Sequence, residues 1–458
     1  MEEYRPMNVH LPLPPGAQFI LQRLCSLGHA AYVVGGCVRD CLLGRAPQDF
    51  DICTSALPEE MQAAFADCHV IETGLRHGTL TVMHDHIPYE VTTFRVDGEY
   101  TDHRHPDQVT FVRDVTADLA RRDFTVNAMA YHPDTGGVDA FGGQEDLRLG
   151  VIRCVGEAEK RFEEDALRIL RALRFASVYG FAIEEKTAAA AHALRHTLKD
   201  VAAERIRAEV TKLLCGSGAS KILRAFRDVI FEVLPDLAPM ADFPQHNPHH
   251  LHDVWEHTLL SIDAVPPVEA LRWAMLLHDS GKPAAFFRDD AGVGHFYGHE
   301  KISSDIALKV MQAMKMDNAT LERVTALVKH HDIPLDTTRK ILLRRLNQFG
   351  AEMLHQLIDV QCADRIATGT RAPGQPEEEA ALLHQALNDL LAQAPCYTLK
   401  TLAVDGRTLM AQGFPKGKII GETLQYLLEK VIDGEAENTA ESLLPLAMTR
   451  LAKEESSK

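Results

Sequence analysis

The chain has 458 residues, with 48 Lys+Arg against 65 Asp+Glu and a formal charge of −17. Its length sets an expectation of about three domains, and its acidic balance argues against a basic domain that simply coats phosphates. No run approaches the ~20 apolar residues of a membrane span. The charge is uneven: residues 1–150 hold 11 Arg, no Lys and 22 acids, whereas residues 151–235 hold 15 basic and 12 acidic side chains, a net of +3.

In chain order, the start MEEYRPMNVHLPLPPGAQ lacks a charged-then-apolar leader. AYVVGG (31–36) reads as a short apolar strand breaking on two glycines, and VRDCLLG opens a helix that Gly44 ends. QDFDICT (48–54) alternates as a strand, and PEEMQAAF (58–65) is a helix started by proline. GTLTVMHD and IPYEVTTFR form a hairpin. From about residue 150 the pattern turns helical, with EEDALRILRALRFASVYGF (163–181) strongly amphipathic. LPDLAPMADFPQHNPHH (234–250) and RAPGQPEEE (371–379) read as connectors, and a small helical tail follows. The expected class is α+β: a mixed α/β head over 1–150, then a helical neck (151–240), a histidine-rich body (241–370) and a tail (371–458). The nine cysteines form no Cys-x-x-Cys pair. They read as reduced thiols of a cytoplasmic protein, with Cys37 and Cys41 as packing residues rather than zinc ligands.

Asp49 and Asp51 flank Phe50, so on a strand both carboxylates share one face while Phe50 enters the core. Two acids on one face repel unless a cation sits between them, and magnesium, which prefers oxygen ligands and bridges phosphates, suits that role. A lone Asp-x-Asp is equally a solvated strand face. Gly35 and Gly36, between a strand and a helix carrying Arg39, would let backbone N–H groups approach a phosphate. Glu90 on the second hairpin arm offers a third carboxylate.

GGCVRDCLLGRAPQDFDICT resembles the first motif of the class II tRNA nucleotidyltransferases and bacterial poly(A) polymerases. RRDFTVNAMAY (121–131) resembles their second motif, and EDALRILRALRF (164–175) their nucleotide-selecting helix. DGEYTDHRHPDQVTFV (97–112), with His103, Arg104, His105 and Pro106, is similar to their flexible loop. The resemblance implies untemplated addition of C, C and A to a tRNA 3′ end from CTP and ATP. Two magnesium ions on Asp49 and Asp51 would serve that transfer, with Glu90 in support. It also implies nucleotide contacts from Gly35, Gly36, Arg39, Arg122, Asp165, Arg168, Arg171 and Arg174. Read by themselves, Asp165 and Arg168 lie three apart and share a helix face, where acceptor and donors can read a base edge; an intrahelical ion pair is the plainer alternative. Arg122 could likewise be a salt-bridge partner of Asp118. Poly(A) addition, or addition of only part of the triplet, remains open within the same chemistry.

Ten of the 23 histidines lie between 246 and 331. His278-Asp279 ends an apolar helix, with His257 before it and Asp364 after it, and this resembles the HD phosphohydrolase superfamily. The resemblance implies a divalent transition metal or magnesium on His257, His278, Asp279 and Asp364, with His299, His330 and His331 as further candidates for a second metal or a phosphate. A rival reading makes this site the main activity and the head vestigial. In the tail, a glycine-rich turn within 405–431 carries Lys416 and Lys418, which suit an RNA phosphate.

Overall fold

The computed structural model describes residues 11–72, 74–98 and 109–455. Most of the 97–112 loop, including His103, Arg104, His105 and Pro106, lies outside them. The described chain divides into two compact units, Met1–Pro235 with Ala313–Lys315, and Asp236–Gln312 with Met316–Lys458.

The first unit begins with α1 (Pro15–Ser26), whose Ile20, Leu21 and Leu24 are buried. Then come β1 (Ala31–Val34), α2 (Gly36–Leu42), β2 (Ile52–Thr54), α3 (Pro58–Ala64), β3 (His69–Ile71), β4 (Thr79–His84) and β5 (Ile87–Thr93). A small antiparallel pair, β6 (Arg95–Asp97) and β7 (Val109–Phe111), leads into α4 (Val115–Ala120), β8 (Ala130–His132), β9 (Gly136–Val138) and α5 (Gly143–Leu149). Seven strands form one sheet in the order β3-β4-β5-β2-β1-β8-β9, with only the β2–β5 pairing parallel. The expected hairpin is β4–β5, with His84 opposite Ile87. Its two turn residues, Asp85 and His86, both take positive φ, as a two-residue loop matched to strand twist requires. Strand alternation gives the sheet two apolar faces. Val33, Ile52 and Val91 join one buried cluster with α1 and α3, while Val34, Cys53, Phe94 and Leu119 join another.

The strand expected over 48–54 is shorter than its alternation suggests. The ladder with β1 stops at Asp51, whose carbonyl accepts from the Val34 N–H at 2.9 Å. Gly35 (φ 80°, ψ −127°) then turns the partner chain into α2, leaving Asp49 and Phe50 no strand to pair with. The facing survives: Phe50 packs on the core while Asp49 and Asp51 are exposed.

Beyond residue 150 helices dominate, with two short strand pairs among them. In this unit β10 (Val151–Ile152) runs parallel to β11 (Ala182–Ile183). Around it stand α6 (Ala158–Glu164), α7 (Leu167–Tyr179), α8 (Glu185–Leu194), α9 (Ala203–Leu214), α10 (Ala219–Ala225) and α11 (Arg227–Val233).

The second unit contains α12 (Val254–Ala264), α13 (Glu269–Leu277), α14 (Lys282–Ala285), a hairpin of β12 (Phe287–Arg288) and β13 (Gly294–His295), α15 (His299–Ala313) and α16 (Asn318–His330). The long α17 (Arg339–Ala367) contains one non-helical residue, Gly350 at φ 75°, which joins two helical arms across a kink. α18 (Gln375–Ala392), α19 (Gly406–Ala411), α20 (Lys418–Ile432) and α21 (Ala440–Glu455) share one core with α17 through Leu354, Ile358, Leu387, Leu409, Leu427 and Leu443. The second expected connector is thus only partly a loop, because its Pro-Glu-Glu-Glu stretch opens α18. No described helix is long and apolar enough to cross a membrane. The nine cysteines are free thiols, and Cys37 is buried while Cys41 packs partly buried on the same core.

Candidate functional site

The head site is built where β1 breaks into α2. Gly35 needs a backbone conformation closed to L side chains, and a Cβ there would meet the Arg122 guanidinium at 2.9 Å. Arg122 therefore lies directly over the turn, and its remaining reach goes to Asp118 at 3.4 Å, the ion pair that its sequence position allowed. Arg39 is nearly buried. Its guanidinium grips Asp40 with two bonds of 2.9 and 3.1 Å, donates to Asn127 Oδ1, and lies over the rings of Phe175 (5.1 Å) and Tyr179 (4.9 Å). It can offer only its remaining donors to a ligand beside Gly36.

Asp51 and Glu90 project from the same side of the sheet, since Ile52 pairs with Val91 in parallel register, and the Asp49 carboxylate lies close enough to act on Asp51. Burial, then the Asp49 and Glu90 carboxylates, push Asp51 up to about 6 against the pull of Arg122. Asp51 is itself surface-exposed and is crowded by the like charges of Asp49 and Glu90. The three acids do not gather within 4.8 Å of one another as the histidine groups of the second unit do. Oxygen-only donors that repel one another fit a hard divalent cation such as magnesium.

One expectation is corrected in the selecting segment. Asp165 and Arg168 do not share a helix face, because the amphipathic run 163–181 is two helices and Asp165 sits between them with φ −146° and ψ 104°. One Asp165 oxygen accepts from the Leu167 N–H at 3.1 Å at the start of α7, and the other accepts from Arg205 on α9 at 2.9 Å. A side chain that can bond its own backbone two residues on competes with helix continuation at this point. Arg168 instead reaches Glu164 (2.6 Å) and the carbonyls of Arg161 and Arg121. Arg171 holds Asp123 through bonds of 2.8 and 2.6 Å, and Arg174 pairs with Glu209 while stacking 3.9 Å from the Phe175 ring. Asp123 is 8% exposed; burial raises its pKa, yet Arg171 and Asn127 outweigh that and hold it at about 2.

The sequence reading passed over Asp123, Asn127, Arg205 and Glu209, the groups that orient the arginines. A signal was present in RRDFTVN, where Asp123 and Asn127 stand four apart and now bond at 3.1 Å.

The second unit gathers all four expected ligands. His257 on α12, His278 and Asp279 after α13, and Asp364 on α17 place one donor atom each within 4.8 Å of the others, and Asp279, His299 and His331 form an adjoining group. His257 Nε2 lies 2.8 Å from Asp364 Oδ1 and 3.4 Å from His278 Nε2. The Nδ1 atoms of His278, His299 and His331 donate to the carbonyls of Met275 (2.7 Å), Phe296 (2.9 Å) and Val328 (2.7 Å). Those bonds fix the tautomer and turn each Nε2 lone pair into the cluster, as metal-binding imidazoles require. Burial pushes His331 down to about 4, keeping it neutral. Buried Asp279 makes no well-directed hydrogen bond, although Lys282 and three imidazoles lie 2.7–3.4 Å away. These donors fit a divalent ion. His330 stands outside both groups, its ring 4.9 Å from Phe349, so it is withdrawn as a metal candidate.

In the tail, Lys416 is exposed in the turn between α19 and α20. Lys418 is instead the first residue of α20, 3.0 Å from Glu422, because the turn already ends at Gly417 with φ 142°.

Three protein families match parts of the chain: Poly A polymerase head domain over residues 31–153, Probable RNA and SrmB-binding site of polymerase A over 180–240, and tRNA nucleotidyltransferase domain 2 (putative) over 297–447. The chain is 36% identical over 425 residues to a CCA-adding enzyme of Lactobacillus helveticus, covering 93% of this chain and 94% of the relative. It is 35% identical over 434 residues to that of Geobacillus stearothermophilus, covering 94% and 96%. Among solved structures, the Bacillus stearothermophilus CCA-adding enzyme in complex with CTP superposes with a TM-score of 0.73 at 33% identity, covering 97% of this chain and all of the other. A Thermotoga maritima CCA-adding enzyme complexed with tRNA, at 22% identity and TM-score 0.61, shares the fold.

Proposed function

The chain belongs to the CCA-adding enzymes, nucleotidyltransferases, and from that premise we propose that it adds C, C and A to the 3′ end of tRNA from CTP and ATP by two-metal nucleotidyl transfer. The observation that carries this is that Asp51 feels both the Asp49 and Glu90 carboxylates and the charge of Arg122, whose guanidinium lies over the Gly35 turn. Asp49 and Asp51 would hold magnesium, which would supply charge neutralisation at the 3′ oxygen and the leaving pyrophosphate. Gly36 brings backbone close to the triphosphate, and Arg122 and Arg39 add positive charge over the same turn. Such a reaction needs positioning more than covalent help from the protein. Asp165 retains acceptor capacity beside its two present bonds, and Arg168 presents donors. Together they read the edge of the incoming base, with Arg171 and Arg174 behind them.

In this reading residues 1–150 do the chemistry, 151–240 select the nucleotide, 241–370 form an HD-type phosphohydrolase, and 371–458 contact tRNA through Lys416 and Lys418. The histidine cluster supports a metal-dependent phosphohydrolase side activity, since His257, His278, Asp279 and Asp364 would hold a divalent ion and such an ion would lower the pKa of a water. Poly(A) addition or addition of part of the triplet is the competing outcome. Asp49→Asn should lose at least about 100-fold in transfer with the fold intact, because even outer-shell ligands matter by 10–100-fold. Transfer at the parent rate would remove Asp49 from the mechanism.

A further inference from the structure

The arginine run of α7 ends on an aromatic pair. Phe175 and Tyr179 stand four apart on one face of α7, their rings 6.1 Å apart and 18° from parallel, and Gly180 at φ 71° ends the helix after Tyr179. This face meets α2 and the chain after it: Arg39 lies 4.9 Å and Arg45 4.7 Å from the centre of the Tyr179 ring. The Tyr179 hydroxyl donates to Asp40 Oδ1 at 2.9 Å, the oxygen that also accepts from Arg39 Nε. Burial raises the pKa of the phenol, so it stays protonated and donates. The Asp40 carbonyl in turn accepts the Arg45 N–H at 2.8 Å.

Three of the five Arg39 N–H groups are engaged, two by Asp40 and one by Asn127. The guanidinium lies at Gly36, where a Cβ would meet Nη2 at 3.5 Å, so its two remaining donors stand beside the turn that would take a phosphate. Asn127 also holds Asp123, which holds Arg171, so the bonds that begin at Tyr179 return to α7 about two turns earlier. A guanidinium keeps its free donors on target only while the carboxylate it grips is itself held. We propose that Tyr179 is a positioning residue for nucleotidyl transfer: its hydroxyl holds Asp40 and so aims Arg39 at the triphosphate, while its ring holds Arg45, four residues before Asp49. The inference rests on the transfer reading of the head and adds this residue to it.

The test uses the full chain with Mg²⁺, CTP on a tRNA that ends before its 3′ triplet, and ATP on one that ends in C-C. Tyr179→Phe keeps the ring and loses the hydroxyl alone. It should raise KM for both nucleotides about 5-fold or more, by one common factor and with kcat nearly unchanged, because the change reaches the triphosphate that both share. Inhibition by inorganic tripolyphosphate should weaken by that same factor. In an Asp40→Ala background, Tyr179→Phe should add less than about 2-fold, since its partner is gone. A general loosening of α7 would instead shift the preference between CTP and ATP. Parental KM values, such a shift, or the full effect in the Asp40→Ala background would overturn the role. If the parent transfers no nucleotide, the transfer reading fails, and Tyr179 is then judged by calorimetric binding of tripolyphosphate. Parental affinity in Tyr179→Phe, or no binding to the parent, overturns the role on that route also.

Discussion

Asp123→Asn tests whether the arginines of α7 are held by buried electrostatics rather than by helix propensity. One Asp123 oxygen takes two bonds from Arg171, and the other accepts from the Phe124 N–H at 2.8 Å and from Asn127 at 3.1 Å. Asparagine keeps one acceptor but loses the charge facing Arg171. Breaking a buried pair costs about 3–5 kcal/mol. Arg171 is 34% exposed and has Glu209 at 4.0 Å, so water and a second acid reduce this to roughly 2–3 kcal/mol. The depressed pKa corresponds to the same size: a carboxyl lowered from 3.8 to about 2 carries on the order of 2 kcal/mol. The sign follows from the depression. The stabilisation is full above about pH 4, where the unfolded carboxyl is ionised, and is lost as pH falls toward 2. Both tryptophans, Trp255 and Trp273, lie in the second unit, so their fluorescence does not report on this site. Amide exchange of peptides from α7 at pH 7 does report on it, and urea midpoints by circular dichroism between pH 6 and pH 3 give the titration. A loss under about 0.5 kcal/mol, or a parent–variant gap that does not shrink on acidification, would refute the argument.

Asp165→Ala should keep the fold and weaken discrimination between CTP and ATP by about 10-fold or more, read as the ratio of kcat/KM, because a hydrogen bond to a charged group is worth about 1.5–3 kcal/mol. Unchanged preference would remove Asp165 from base reading. Gly35→Ala should cost about 1–3 kcal/mol in thermal stability and displace Arg122 from the turn, with nucleotide affinity falling in the same protein. Mn²⁺ at 100 times its Kd should stabilise the second unit by about 2.7 kcal/mol in a melt followed by Trp255 and Trp273 fluorescence, and His278→Ala should abolish that gain. A melt indifferent to Mn²⁺ would contradict a metal site there.

Much of this organisation was legible because its signals are local. AYVVGG is a short apolar run that breaks on Gly35-Gly36, and GTLTVMHD and IPYEVTTFR are two strand-like runs close enough to form a hairpin. The grouping of His257, His278, Asp279 and Asp364 was also legible, although the bonds that orient His278, His299 and His331 are made to carbonyls that no spacing rule names. Reading failed where long-range partners override local pattern. Asp165 leaves the helix because its carboxylate bonds both the Leu167 N–H and Arg205, forty residues away. Asp49 lies beyond the strand because its would-be partner chain turns at Gly35. The formal charge of −17 misled in the same way: part of that acidity is Asp49, Asp51 and Glu90, while the +3 segment holds Arg168, Arg171 and Arg174.

The most direct measurement supplies a tRNA that ends before its 3′ triplet with CTP alone, ATP alone, and both, and sizes the products to single-nucleotide resolution. CCA addition predicts two additions with CTP alone, almost none with ATP alone, and with both a product that stops after three. A long A tract, or no extension under any condition, would contradict it.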